Sequence, residues 1–483
     1  MAPPWSGSSR AAAFPERRHT DVGLPQAAKL RSSSPRQTEL SQSLPDAPVS
    51  PVEVAPPAGA VPADGVPSAP SSAPYAPPPA RFAAPAARFS SSPALAAPGG
   101  PPPPPVPSPP AAPGGKARAP KPARPLRAVW FTLNDMGTLR DAPKLEEAVR
   151  QLGRLGFTTL YPVVWNGGYT YTAGTVTQQR QLQSFTLRGL QGQDPLADLI
   201  RLAREQGMQV LPWFEFGFMA PPSSELATRH PQWLTQKRDG SLTSMSAAGE
   251  VVWLNPFRPE VQQLLIELML EVVNLYEVDG VQFDDHFSLP IAFGYDPYTR
   301  ALFRKETGRD VPTNSEDAAW LRWRADKLTA FVRRLRVALK ARDSSLIFSL
   351  SPNYADFAYK LQLQDWRAWV KAGLVDEVVV QLYRPDLESF TTELNRPEFA
   401  ETKVPMAVAL MAGQRLRPTD PVLLQGKVAA ARQRGLGVAF FHYGPLWEAT
   451  ADAEGRLRGL EGMLGVGGVS RGTPTQPGGN GGE

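Results

Sequence analysis

From Leu126 onward, short β-rich runs alternate with helical patterns, and the alternation repeats eight times. This repeat constrains topology more than any other feature of the chain, because strands joined through helices come to lie parallel in one sheet. The β-rich runs fall at 127–133, 158–165, 208–216, 278–287, 346–353, 377–384, 403–411 and 437–443. Helical spacing is clearest at 144–156, where Leu145, Ala148, Val149, Leu152 and Leu155 share a face. At 194–207, Asp194 and Pro195 supply the N-cap and first-turn proline and Gly207 the stop. Further helices are expected at 259–276, 296–307, 320–341, 361–372 and 421–434. Eight βα units over 126–465 predict an α/β fold, a (β/α)8 TIM barrel with insertions. The alternative, an open doubly wound sheet, calls for a Gly-rich phosphate turn after the first strand. Leu133-Asn134-Asp135-Met136-Gly137 does not provide one.

Composition sets the limits of that domain. Residues 1–125 hold 32 of the 53 prolines in an Ala/Ser background, too little bulky apolar surface to offset chain entropy. A long disordered Pro-rich N-terminal tail is expected there, and a second, Gly-rich tail at 466–483. The first 124 residues carry 12 Lys and Arg against 6 Asp and Glu, and the rest of the chain 39 against 40. The overall charge of +5 is therefore the sum of +6 and −1, and the basic character belongs to the tail. A nucleic-acid partner, which needs a basic folded surface, is not expected. The absence of cysteine removes disulfides, thiolate chemistry and cysteine-based zinc sites. No run is long and apolar enough to span a bilayer, and residues 1–21 contain no signal-peptide core. The Pro-rich spacer still points towards the cell envelope or the exterior.

In a barrel all strand C-termini open on one face, where residues distant in sequence become neighbours. The fourth run, Val278-Asp279-Gly280-Val281-Gln282-Phe283-Asp284-Asp285-His286-Phe287, drives an apolar alternation into two carboxylates and an imidazole. Period-two alternation puts Gln282, Asp284 and His286 on one face and Val281, Phe283 and Phe287 on the other. Asp285 has the apolar parity but sits at the strand end, where it is expected to reach solvent or a loop. Taken alone, Asp-Asp-His is also compatible with a solvated, capped loop. Polar residues nevertheless collect at the other strand ends: Asn134 and Asp135, Asn166, Glu215, Ser351 and Asn353, Gln381 and Tyr383, His442 and Tyr443. Trp130, Trp165, Trp213 and Trp447 join them.

Carboxylates mixed with amides and aromatic faces suit a polysaccharide or oligosaccharide, and hydrolysis of a glycosidic bond needs an acid and a second carboxylate. Asp284 and Glu215 are the expected catalytic pair, with Asp285 in reserve. Asn134, Trp165, Asn166, Trp213, His286, Asn353, Gln381, Tyr383, His442 and Tyr443 are the expected substrate-binding set. A metal-dependent hydrolase is the competing chemistry, but the chain has 4 histidines in all and lacks an H-x-H pair at its first strand. Neither a metal nor another cofactor is expected. A catalytically silent glycan-binding barrel is the remaining alternative.

Trp253-Leu254-Asn255-Pro256-Phe257-Arg258-Pro259-Glu260-Val261, the run 278–287 and His230-Pro231-Gln232-Trp233-Leu234 together resemble the glycosyl-hydrolase-like family 10 proteins, bacterial (β/α)8 glycosidase relatives often found in the cell envelope. The resemblance implies hydrolysis of O-glycosyl bonds, for example in peptidoglycan. A more distant likeness is to family 18 chitinases, which Asp279, Gly280, Asp284, Gln381 and Tyr383 match. Gln282 replaces the middle Asp of that pattern, and His286 stands where its catalytic Glu would be. The resemblance thus leaves the acid's role to Asp284, Asp285 or Glu215.

Overall fold

The computed structural model describes residues 125–182, 192–246, 249–414, 417–447 and 452–464. The expected tails at 1–125 and 466–483 lie, apart from Pro125, outside the described residues. The eight strands are β1 Arg127–Phe131, β2 Thr159–Pro162, β3 in two halves (Gln209–Val210 and Trp213–Phe214), β4 Gly280–Asp284, β5 Ile347–Ser351, β6 Glu377–Gln381, β7 Met406–Met411 and β8 Gly437–Phe441. Each pairs in parallel with the next, and β8 pairs with β1, so the sheet closes on itself. The sequence reading took β3 as one run. It is split at Pro212, which has no N–H to give to a ladder, yet whose carbonyl still accepts from Gln282 N. The lower half of β3 pairs with β2 and the upper half with β4, and a bridge between Val163 and Trp213 completes the closure.

The main helices on the outside are α1 Ala142–Arg154, α2 Pro195–Glu205, α3 Pro259–Leu275, α4 Ala318–Arg342, α5 Trp366–Lys371, α6 Leu387–Glu393, α7 Pro421–Gln433 and α8 Ala453–Leu464. Aspartates cap many of them. Asp141, Asp194, Asp317, Asp365, Asp386 and Asp420 each accept a main-chain N–H from the first turn. Two of the helices, α6 and α8, were not read from sequence. The helix expected at 361–372 is in fact two, Ala355–Gln362 and α5, because Leu363 adopts a left-handed conformation (φ 57°) between them.

Side chains divide between two cores. The barrel interior holds Ala128, Trp130, Tyr161, Trp213, Ala407, Ala409, Ala439 and Phe441, the alanines of β7 and β8 leaving room for the indoles. The strand faces opposite these, including Val129, Phe131, Val281, Phe283, Val378 and Val380, pack against the helices. Polar residues inside the barrel are joined in a chain. Trp130 Nε1 donates to Gln282 Oε1 (2.7 Å) and Gln282 Nε2 to Ser349 Oγ (3.1 Å), while Ser349 Oγ (2.7 Å) and the Tyr161 hydroxyl (2.8 Å) both donate to Glu377 Oε1. Left unpaired, each such group would cost about 1–3 kcal/mol. Hairpins and short antiparallel sheets extend the loops after β2, β3 and β7: Trp165–Asn166 with Tyr169–Thr170, Met219–Ala220 with Gly249–Trp253 and Thr243–Ser246, and Gly413–Gln414 with Arg417–Pro418.

Candidate active site

β4 delivers its polar face to the barrel mouth as the alternation requires. Gln282 lies in the interior network, and Asp284, one step further along, ends the strand among buried neighbours. Asp284 Oδ2 accepts from Trp213 Nε1 (3.0 Å) and Oδ1 from the main-chain N of His286 (2.9 Å). The His286 ring turns back over this pair. Its Nδ1 lies 3.3 Å from Asp284 Oδ1 and 2.9 Å from the carbonyl oxygen of Glu215. One imidazole thus ties the ends of β3 and β4 together. The fit depends on Gly217 (φ 46°), where a Cβ would come within 2.5 Å of the His286 carbonyl. Gln364 Nε2, donating to the carbonyls of Asp284 (2.9 Å) and Phe287 (3.2 Å), fixes the strand end from the other side.

Asp285 does not reach solvent as its position suggested; it is 4% exposed. Gln381 Nε2 donates to its Oδ1 (2.9 Å), and Asn353 Nδ2 (3.0 Å) and Gln362 Nε2 (3.2 Å) donate to its Oδ2. Glu215 is held similarly, with Asn166 Nδ2 2.6 Å from Oε2. The amides expected to bind substrate therefore hold carboxylates: Asn166 for Glu215, Asn353 and Gln381 for Asp285.

Burial and charge separate these groups in proton affinity. Burial, aided by the nearby Asp284 charge and opposed by the Asn166 amide, pushes the Glu215 carboxyl up to about 8. Burial also raises Asp284, but His286 pulls against it and the group stops at about 6. Burial would lower His286, yet the charges of Asp284, Asp285 and Glu215 overcome it and raise the imidazole to about 10. Near pH 7 the arrangement is a neutral carboxyl beside an ionised one, with a cation between their strands. The Tyr383 phenol is raised by burial and then by Asp285 and Asp284, so it stays protonated beside them.

The remaining rim residues take varied places. Asn134 is exposed beyond β1. His442 pairs through Nδ1 with Asp135 (2.9 Å), whose carboxylate also accepts from Thr132 N, Thr132 Oγ1 and Gly444 N. The tryptophans expose almost no surface. Trp130 and Trp213 fill the barrel interior, Trp165 is fully enclosed with Nε1 on the Gly217 carbonyl (3.1 Å), and Trp447 is 5% exposed. Tyr443 stacks on Phe131 in the outer core. Taken singly each indole reads as barrel core, and only its coincidence with carboxylates at strand ends favours binding; the small residues of β7 and β8 admit Trp130 and Trp213 to the interior. The sequence reading missed Gln362 and Gln364, hidden in what looked like one helix. It also missed Tyr171, a buried phenol whose hydroxyl is raised by enclosure and by Glu215.

Asp284, Asp285 and His286 each offer a ligand atom within 4.8 Å of the others, a grouping that a cation could use. Their surroundings fit it poorly. Both Asp285 oxygens already face N–H donors, and the His286 nitrogen nearest Asp284 is the one turned to the Glu215 carbonyl.

Residues 125–426 match the family described as glycosyl hydrolase-like 10, well over half of the chain. The chain belongs to that family. Glycosyl hydrolase DigH of Escherichia coli strain K12 is 26% identical over 318 residues, covering 58% of this chain and 70% of DigH. Glycosyl hydrolase YngK of Bacillus subtilis strain 168 is 24% identical over 225 residues, 41% of each chain. The PgaB (BpsB) glycoside hydrolase domain from Bordetella bronchiseptica superposes with a TM-score of 0.52 at 14% identity, covering 72% of this chain and all of that one, a likeness of fold. Family membership and barrel together support a glycosidase-like function, with acidic candidates at the mouth. No helix among the described residues is long and apolar enough to cross a membrane.

Proposed function

We propose that the protein is a glycoside hydrolase that cleaves O-glycosyl bonds of a polysaccharide by carboxylate acid/base catalysis. The observation that carries this reading is the pair of buried carboxyls at the ends of adjacent strands, Glu215 and Asp284, which differ in proton affinity, with His286 set between the Asp284 carboxylate and the Glu215 main-chain carbonyl. Glu215, protonated near neutral pH, donates its proton to the leaving glycosidic oxygen. Asp284, ionised and steadied by Trp213 and His286, stabilises or attacks the anomeric carbon. Asp285 is held by three amides and, with the protonated Tyr383, shapes the negative wall of the mouth.

The substrate we favour is a neutral or N-acetylated glycan of the cell envelope, such as peptide-free peptidoglycan strands. Two features support it: the near-zero net charge beyond residue 124, which suits a glycan with no more than one carboxylate per disaccharide better than a densely charged polyanion, and the Pro-rich N-terminal stretch, which suits a spacer in or beyond the envelope. The test is to incubate the full-length protein with sacculi, peptide-free strands, chitin oligomers and α- and β-glucans, and to identify products by mass spectrometry. Soluble fragments from peptide-free strands are expected. Release only from an α-glucan would end the envelope reading, and binding to a polymer without product would end the hydrolase reading.

A further inference from the structure

A cavity of about 530 Å³ lies between the loops that follow β3 and β4. Lys237, Arg238 and Asp239 line it from the first loop, and Tyr295, Asn314 and Ser315 from the second. Both loops leave the barrel at the end where Glu215 and Asp284 sit, because they continue from those strands. The volume suits one or two sugar rings.

The walls are tied in place. Lys237 forms an antiparallel bridge with Phe293, Tyr295 N donates to the Gln236 carbonyl (2.9 Å), and Gly294 N donates to Thr235 Oγ1 (3.0 Å). Behind the second wall lies Arg324, which has no exposed surface. Its guanidinium donates to the carbonyls of Ile291, Phe293 and Ser315, each at 2.6 Å, and no carboxylate pairs with it among the described residues. Gly294 (φ 101°) allows this approach, since a Cβ there would lie 3.1 Å from Arg324 Cδ.

The cavity is therefore electropositive within a domain that is nearly neutral overall. Lys237 and Arg238 face a single lining acid, Asp239, whose carboxylate already accepts from Ser241 N (2.9 Å) and Ser241 Oγ (2.7 Å). Tyr295, packed behind the wall with Phe303 and Trp320, is 3% exposed and keeps the second loop rigid where it lines the cavity.

We propose that this cavity is a distal subsite for a carboxylate-bearing sugar of the glycan chain whose bond is cut at Glu215 and Asp284. The inference rests on the glycan-hydrolase reading and adds a local charge preference that net charge conceals. Lys237 and Arg238 meet the carboxylate at the lip, and the tethered walls hold the ring without having to be ordered first.

The test uses the full chain carrying Asp284→Asn, or Glu215→Gln should the first variant not fold. The probes are an N-acetylglucosamine disaccharide bearing a lactyl ether carboxylate and the methyl ester of the same compound, titrated by calorimetry. The charged form is expected to bind about five- to tenfold more tightly, a preference that adding Lys237→Ala and Arg238→Ala removes. Equal binding of acid and ester, no binding of the acid, or a preference that survives the double substitution would overturn the subsite. Hydrolysis of peptide-free strands by the Lys237→Ala, Arg238→Ala protein, with Asp284 and Glu215 intact, separates the two readings. A raised KM on those strands, with KM on chitin oligomers unchanged, supports both. Unchanged KM on both removes the subsite and leaves the hydrolase. A charge preference without turnover of any strand leaves the subsite and removes the hydrolase.

Discussion

Asp376 and Asp284 sit at opposite ends of the barrel, and the same side chain behaves in opposite ways in the two places. Asp376, at the foot of β6, accepts from Phe348 N (2.9 Å) and lies 2.9 Å from both Arg336 and Lys340 of α4. Burial acts to raise its carboxyl, but these donors outweigh it and hold the group below its ordinary value. Asp279, at the foot of β4, likewise accepts a main-chain N–H from Val210 (2.9 Å). At the mouth, Asp284 and Glu215 are buried more deeply (the Asp284 side chain is 4% exposed against 26% for Asp376), and burial outweighs their partners and raises both. The foot uses carboxylates to fasten strands, whereas the mouth buries them at the cost of raised proton affinity.

Exchanging the two losses breaks the comparison most directly. Asp284→Asn is expected to lower kcat by about 10²- to 10⁴-fold and to leave the melting temperature nearly unchanged or slightly raised. Asp376→Ala is expected to keep kcat and to cost about 1–3 kcal/mol, because Phe348 N, Arg336 and Lys340 lose their acceptor. Kinetics and thermal melts on both variants decide it. An inactive Asp376→Ala with normal melting, or an active Asp284→Asn, would reverse the roles of the two ends.

Proton linkage sharpens the same contrast. The folded-state affinity of Glu215 is raised from 4.5 to about 8, so its contribution to stability is fully present below pH 4.5 and is lost as pH rises towards 8. That of Asp376 is depressed below 3.8, so its contribution is present above pH 3.8 and is lost on further acidification. Glu215→Gln should therefore melt higher than the wild type at pH 9, with little difference at pH 4, while losing most of its activity. In the wild type, kcat/KM should rise through about pH 6 as Asp284 ionises and fall through about pH 8 as Glu215 does. A profile flat between pH 5 and 9 would remove this acid/base assignment.

How legible each end was follows from how local its determinants are. The barrel could be read because period-two runs such as Val378, Val380 and Leu382 and helical faces such as Leu145, Ala148, Val149 and Leu152 repeat within a few residues. Asp284 and Glu215 were legible because strand ends in a barrel converge. Their partners were not, since whether Gln381 turns to a sugar or to Asp285, 96 positions away, depends on packing across β5. The tryptophans misled for a related reason. An indole beside a carboxylate reads as a sugar platform, but alanines on distant strands made space for Trp130 and Trp213 inside. Gln362 and Gln364 were masked by the turn at Leu363, which leaves the helical spacing intact.

The smallest effects test whether the mouth's amides position a carboxylate for chemistry or only tie down a loop. Asp285 Oδ1 has one amide donor, Gln381, whereas Oδ2 has two, Asn353 and Gln362. Removing the lone donor frees one oxygen, while removing one of two leaves the other in place. Gln381→Ala should therefore lower kcat more than Gln362→Ala does, by about tenfold against about twofold, as expected for losing roughly 1 kcal/mol or a fraction of it from the transition state. Arg336→Ala at the foot provides the control. It removes one of three donors from Asp376 and should shift melting without touching kcat. Rescue of kcat in Gln381→Asn but not Gln381→Leu, at matched melting temperatures, would mark Gln381 as a positioning residue. If the glutamine variants change melting and leave kcat alone, mouth and foot use their carboxylates alike at this position, and Asp285 joins Asp376 as a fastening.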